Sequence, residues 1–210
     1  MPDLAESKTE KNLLEVLAGE FKARYKYIEF ANRAKEEEYM QVEGIFLEAA
    51  DSKKIHARKL FEFLDGDSVE INTTYSPQEE KSTLENLKAA SNKEGEEYIS
   101  SYHSFAETAE EEGFEEIGDL FKKIAKVEAE YTKVFEALIE IMESDGLFKG
   151  NKKKGWKCSL CGYVYVAAEA PEKCPSCSHS QDYFASKTYP VVNEEACISC
   201  GVGKSVCIVN

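Results

Sequence analysis

Two cysteine pairs, Cys158-Ser159-Leu160-Cys161 and Cys174-Pro175-Ser176-Cys177, are separated by twelve residues in the C-terminal quarter of the chain. Each pair forms a short knuckle that can aim two sulfurs at one point, and two knuckles supply four thiolates to one tetrahedral ion. Gly162, behind the second sulfur, permits the tight turn that this requires. Zinc and iron both accept such a set. Zinc has no redox chemistry, so the identity of the ion decides between a structural and an electron-carrying role. Three more cysteines follow: Cys197, Cys200 and Cys207. They fit the iron–sulfur ligand spacing C-x2-C-x2-C-x3-C-P if Gly203 stands for the third cysteine and Ile208 for the proline. One ligand is missing. The tail is therefore read first as inert or thiol-reactive, and second as cofactor-binding for an iron–sulfur cluster. An odd total of seven cysteines favours metal binding over disulfides.

The N-terminal 150 residues hold no cysteine, but they place charged groups where apolar ones belong. Ile117, Phe121, Ile124, Glu128, Tyr131, Phe135, Leu138 and Met142 recur at alternating spacings of four and three, a helical seam with Glu128 at its centre. The same reading gives Leu13, Leu17, Glu20, Arg24, Tyr27 and Ala31 on a first helix. A second gives Ile45 or Phe46, Ala49, Lys53, His56, Leu60 and Phe63, and a third gives Leu87, Ala90, Glu94, Glu97, Ser101 and Phe105. A single glutamate on such a stripe is unremarkable in a chain with 40 Asp and Glu. Four helices agreeing is different, because burying several carboxylates without a cation is very costly. The expectation is a metal or other cation inside a bundle. His103 and His179 fall off these seams and read as surface or structural residues.

Four amphipathic segments must carry these side chains: roughly 9–37, 41–65, 77–112 and 114–145. Asp65-Gly66-Asp67 ends the second and Gly113 separates the third from the fourth. Short connections within each pair of segments, and a long one at 66–76, predict an all-α four-helix bundle of the ferritin-like type with one crossover. The expected organisation is a bundle over 1–148, a Gly- and Lys-rich linker over 149–155, a small β/loop metal domain over 156–188 and a cysteine tail over 189–210. Charge divides at the same place: residues 1–150 carry 19 Lys and Arg against 35 Asp and Glu, and residues 151–210 carry 7 against 5. A net charge of −14 disfavours nucleic acid and anionic membrane as partners. No apolar run reaches the roughly 18 residues of a membrane span, and no signal-like segment opens the chain, so the expected location is the cytoplasm.

Particular motifs resemble the rubrerythrin family: Ala18-Gly19-Glu20, His56-Ala57-x-x-Leu60-Phe61-x-Phe63-Leu64, Glu94-x-x-Glu97-Tyr98 and Glu111-Glu112-Gly113-Phe114-Glu115-Glu116-Ile117. Cys-Gly-Tyr at 161–163, Cys-Pro-x-Cys at 174–177 and the aromatics Trp156, Tyr163 and Phe184 resemble rubredoxin. The resemblance implies a diiron bundle joined to a rubredoxin-like single-iron domain, and reduction of hydrogen peroxide as an NADH-linked peroxidase. It further implies a homodimer fed by an electron-donor reductase or a ferredoxin- or rubredoxin-type protein. It places Glu20, His56, Glu94, Glu97 and Glu128 at bundle ligand positions, and Cys158, Cys161, Cys174 and Cys177 around one iron. It makes Glu97, His56 and Tyr27 the catalytic candidates and sets Tyr27 and Tyr102 near the ligands as hydrogen-bonding groups.

Two residues depart from the family pattern, in which Glu-x-x-His occurs on both the second and fourth helices. The second reads Lys53-Lys54-Ile55-His56, with lysine in the place of a bridging glutamate. The fourth reads Glu128-Ala129-Glu130-Tyr131, with tyrosine in the place of a histidine. Asp51 and Glu130 are turned off the seam by helical geometry and replace neither. The four glutamates and the Lys53 ammonium sum to −3. One divalent ion brings the site to −1, the value of a family site with five glutamates and two ferrous ions. The expectation is at most one metal in the bundle, with Lys53 standing in for the other. The alternative to a peroxidase is then a non-enzymatic electron-transfer or metal-binding protein whose bundle holds one metal or none.

Overall fold

The computed structural model describes residues 3–64, 68–74, 81–144, 146–150 and 153–186, without the side chains of 93–99. Five helices, α1 (Lys8–Glu36), α2 (Met40–Phe61), α3 (Thr83–Ser91), α4 (Lys93–Glu111) and α5 (Glu115–Glu143), form a bundle of four rods. A three-stranded antiparallel sheet follows, β1 (Lys154–Cys158), β2 (Val164–Ala167) and β3 (Phe184–Ser186), in the order β2-β1-β3. Among the described residues, no helix is long and apolar enough to cross a membrane.

The helix ends are set by local chemistry. Ser7 caps α1 by accepting from the Glu10 N–H at 2.9 Å. Ser82 and Glu85 form a reciprocal capping box at the start of α3. Glu112, at the far end of α4, accepts from the Thr9 N–H at 2.9 Å and the Lys8 N–H at 3.2 Å, so a side chain from another rod also caps α1. Gly113, at φ +84°, turns the chain from α4 into α5.

The expected third helix is not continuous. Asn92 is extended, with ψ 166°, and splits the rod into α3 and α4. The break shifts the phase of the second half. Among the described side chains of α4, Tyr102, Ala106 and Ala109 are buried, whereas Ser101 and Phe105, expected to face inward, are only half-buried. Arg24 is likewise at the flank of α1 and not in its core: it donates to the Ala50 carbonyl at 2.7 Å and pairs with Asp51 at 3.2 Å.

Two apolar clusters fill the bundle. One contains Leu13, Leu17, Leu60, Tyr102, Phe121 and Ile124; the other contains Phe30, Val42, Phe46, Leu87, Tyr131 and Phe135. Along α1, α2 and α5 the residues between the two clusters are polar and buried: Glu20, Lys53, His56 and Glu128. The sheet carries its own small core of Trp156, Cys158, Ala170, Cys174 and Phe184, with Phe148 packed against it. Gln41, at the start of α2, donates to the Leu147 carbonyl at 3.2 Å and accepts from the Ser186 N–H at 3.3 Å, tying this module to the bundle.

Candidate metal centres

Both knuckles of the small module are built as backbone turns. The Gly162 N–H donates to the Cys158 carbonyl at 2.9 Å, with Gly162 at φ +78°. The Ser178 N–H donates to the Cys174 carbonyl at 2.9 Å, with Ser178 at φ +62°. Only the first turn was legible, because glycine announces a left-handed residue and serine does not. The four sulfurs converge within 4.8 Å of one another, and the Cys158–Cys177 and Cys161–Cys174 pairs are 3.7 and 3.6 Å apart. A tetrahedron with metal–sulfur bonds of about 2.3 Å has edges of about 3.8 Å. All four are free thiols, too far apart for disulfides. The donor set therefore fits one tetrahedral ion.

Cys161 is exposed, and the Tyr163 N–H aimed at its sulfur holds its pKa down, at about 6. The His179 N–H pulls Cys177 the same way. Burial and the three neighbouring sulfurs outweigh it and push that thiol up to about 12. Four thiols crowded together resist ionising jointly, and a bound cation removes that resistance.

The bundle gathers a second cluster. Glu20, His56 and Glu128 come from α1, α2 and α5, and their ligand atoms also lie within 4.8 Å of one another. His56 Nδ1 is 3.3 Å from both Glu20 Oε2 and Glu128 Oε1. Lys53 enters from α2, one turn before His56, and is 2% exposed. Its ammonium pairs closely with Glu128 Oε2 and sits 3.7 Å from Glu20 Oε2. Tyr102 donates to Glu20 Oε1 at 2.5 Å, and Ser52 Oγ lies 3.4 Å from His56 Nε2. The Ser52 contact was not foreseen, although its position four residues before His56 puts it one turn away on the same face.

Charge balance sets the protonation tendencies. Burial pulls the His56 imidazolium down, but the Glu20 and Glu128 carboxylates outweigh it and carry its pKa up to about 9. Burial alone would raise Glu128; Lys53 and His56 hold it at about 2. Tyr27 packs on Phe46 and Phe135 with its ring centroid 6.0 Å from Lys53 Nζ, and burial raises its phenol to about 12. Burial raises the Tyr131 phenol further still. Ser52 opposes that rise, although Tyr131 Oη makes no hydrogen bond of good geometry among the described residues.

Asp51 is engaged with Arg24, and Glu130 pairs with Lys133 at 2.6 Å, so neither neighbour replaces the missing carboxylate. Glu94 and Glu97 lie on α4, but their side chains fall outside the described residues, as do Cys197, Cys200 and Cys207. His103 and His179 are exposed.

A scan of protein families matches residues 11–139 to rubrerythrin and residues 156–185 to the rubrerythrin rubredoxin-like domain. The chain belongs to the rubrerythrin family. A rubrerythrin of Porphyromonas gingivalis is 47% identical over 178 residues, covering 85% of this chain and 89% of that one. A rubrerythrin of Nitratidesulfovibrio vulgaris is 39% identical, covering 88% and 96%. Among solved structures, mixed-valence nigerythrin superposes with a TM-score of 0.58 at 27% identity, covering 88% of this chain and 92% of that one. An open-pore ferritin from Archaeoglobus fulgidus, 17% identical with a TM-score of 0.58, shares the bundle fold. The ferritin-like bundle with its rubredoxin-like module is thereby shown, and the chain has the organisation of a non-haem iron redox protein.

Proposed function

We propose that this rubrerythrin-family chain reduces hydrogen peroxide to water, with electrons entering through the four-cysteine site. The reaction consumes two electrons and two protons per peroxide and yields two waters. The observation that carries the reading is the convergence of Cys158, Cys161, Cys174 and Cys177 at tetrahedral spacing within a family of iron proteins. Cys158, Cys161, Cys174 and Cys177 would hold an iron able to supply a one-electron couple at an exposed edge, and Glu20, His56 and Glu128 would hold a redox metal able to pass electrons to peroxide. Cys161 presents that edge to a donor protein, a reductase or a ferredoxin- or rubredoxin-type carrier. The Tyr163 N–H favours the ionised sulfur, and Trp156 and Phe184 keep water from the inner side. In the bundle, Glu20, His56 and Glu128 supply the donors, Tyr102 orients Glu20, and Glu94, Glu97 and Tyr27 complete the proposed site. A cytoplasmic homodimer belongs to this reading; free, convergent thiols in an odd-cysteine chain favour a reducing compartment.

The close Lys53–Glu128 pair favours a second reading, in which the small module carries electrons and the bundle does not turn over peroxide. One experiment separates them. The anaerobic full chain is reduced with dithionite, freed of excess and mixed with hydrogen peroxide while the ferric–thiolate absorption is followed. Peroxide-driven reoxidation that is strongly slowed in Glu20→Ala supports the first reading. Reoxidation at the same slow rate in both proteins supports the second. A colourless protein with one zinc and no iron at the cysteines overturns both.

A further inference from the structure

We propose that the bundle is built for a single divalent metal ion, held by Glu20 Oε2, His56 Nδ1 and Glu128 Oε1, and that the Lys53 ammonium is a built-in cation occupying the place of a second. The inference concerns cation number and does not depend on peroxide as the substrate.

The atoms sort themselves into two classes. Glu20 Oε2, His56 Nδ1 and Glu128 Oε1 are buried and lack a hydrogen-bond partner among the described residues, although His56 Nδ1 is 3.3 Å from each of the other two. Donors bound to one ion at about 2.0–2.2 Å sit about 3–3.6 Å apart, so this spacing suits a shared ion. The other atom of each group has an outer contact. Tyr102 donates to Glu20 Oε1, Lys53 pairs with Glu128 Oε2, and Ser52 approaches His56 Nε2. Outer contacts of this kind fix a ligand's orientation and leave its inner atom for metal. In the absence of metal a proton on His56 Nδ1 can hold the two carboxylates together, and a divalent ion bound by the same three atoms would replace that proton.

The second position is closed by chemistry. The face of Glu128 turned away from His56 is covered by Lys53 Nζ. An ammonium donates only and cannot ligate while charged. It also repels a dication placed beside it at close range in a poorly solvated interior. Tyr131 sits one turn after Glu128, where a further donor on that face would come from, and it offers a buried phenol that stays protonated. Lys53 does not escape to solvent: its side chain is 2% exposed, against 24% for Lys59 on the same helix. Among the described side chains, which leave out Glu94 and Glu97, the donors fit a mononuclear site and not a dinuclear one.

Manganese is a suitable probe, because Mn²⁺ prefers carboxylate and imidazole to thiolate. Mn²⁺ is titrated into the anaerobic full-length protein with the cysteine site already loaded, and bound ion is read by EPR. The expected result is one tight equivalent with the six-line signal of an isolated ion, abolished in Glu20→Ala. Lys53→Met should keep the stoichiometry at one and tighten binding about tenfold or more, since a neighbouring like charge is removed. Lys53→Glu should admit a second ion and produce an exchange-coupled signal. A coupled pair in the wild type overturns the proposal. So does the absence of bound Mn²⁺ in the wild type, or an affinity unchanged in Lys53→Met. Circular dichroism of each variant shows whether a lost signal reflects unfolding; in that case the wild-type stoichiometry alone decides the question.

Discussion

Glu20, Lys53, His56 and Glu128 are ionisable groups buried between two apolar clusters, and each is tolerable only because of the others. Removing one member of a buried pair strands the remaining charge, at a cost of about 3–5 kcal/mol. Lys53→Met is therefore expected to lower unfolding stability by that order in metal-free protein, because Glu128 loses its close partner. Saturating Mn²⁺ should restore most of the loss, and urea titration with and without the ion checks this. Tyr102→Phe has a different signature. It removes the 2.5 Å bond to Glu20 and leaves a buried carboxylate oxygen unpaired, for about 1–3 kcal/mol. It should also weaken metal binding about tenfold, the usual effect of losing a contact that orients a ligand. Equal metal affinity in Tyr102→Phe and wild type would mean that the phenol serves packing alone. Glu20, His56 and Glu128 could be picked out from sequence because they interrupt regular apolar seams. The way their atoms divide between inner and outer partners could not, since it depends on side-chain directions that no spacing encodes.

Among the elements, α5 was legible almost residue by residue, because a 29-residue helix without internal breaks keeps one phase. The third rod departs from the expected stripe because Asn92, which carries no strong breaking signal, unlike proline or glycine, is extended, and beyond it Tyr102 and Ala106 are buried where Ser101 and Phe105 were expected. Tyr102 came to notice through the family resemblance, whereas the seam pointed to Ser101. The Glu112 cap on α1 was equally hidden, since it joins positions 103 and 104 residues apart. Its hydrogen bonds from Thr9 hold the Glu112 carboxyl below the usual glutamate range. A carboxylate whose folded pKa is depressed contributes stability that is present above the unfolded value, about 4.3, and is lost as pH falls through the folded pKa. Glu112→Gln should therefore melt below wild type at pH 7, and the gap should close under acid conditions below the folded pKa. Thermal unfolding across that range tests it. A gap independent of pH would assign the effect to amide geometry rather than to charge.

At the scale of the whole molecule, two modules of unequal self-sufficiency share one chain. The bundle buries two extended apolar clusters, whereas among the described residues the sheet module rests on five buried ones, two of them cysteines. A core that small falls below the size at which burial alone holds a fold, so the ion bound by the thiolates should supply its stability. The chain has one tryptophan, Trp156, and it is fully buried in that small core with its indole N–H donating to the Ala167 carbonyl at 3.3 Å. Its fluorescence therefore reports on this module alone. Cys174→Ser is expected to shift Trp156 emission to the red while helical circular dichroism stays near that of wild type. Gln41→Ala probes the junction. It removes the two hydrogen bonds that hold the Leu147 carbonyl and the Ser186 N–H to α2, each worth about 0.5–1.5 kcal/mol. With the cysteine site loaded, wild type should lose Trp156 emission and helicity in overlapping transitions. The variant should lose Trp156 emission at lower denaturant with the helical transition unmoved. Coincident transitions in both proteins would show that Phe148, packed against the core of the sheet module, carries the coupling without Gln41.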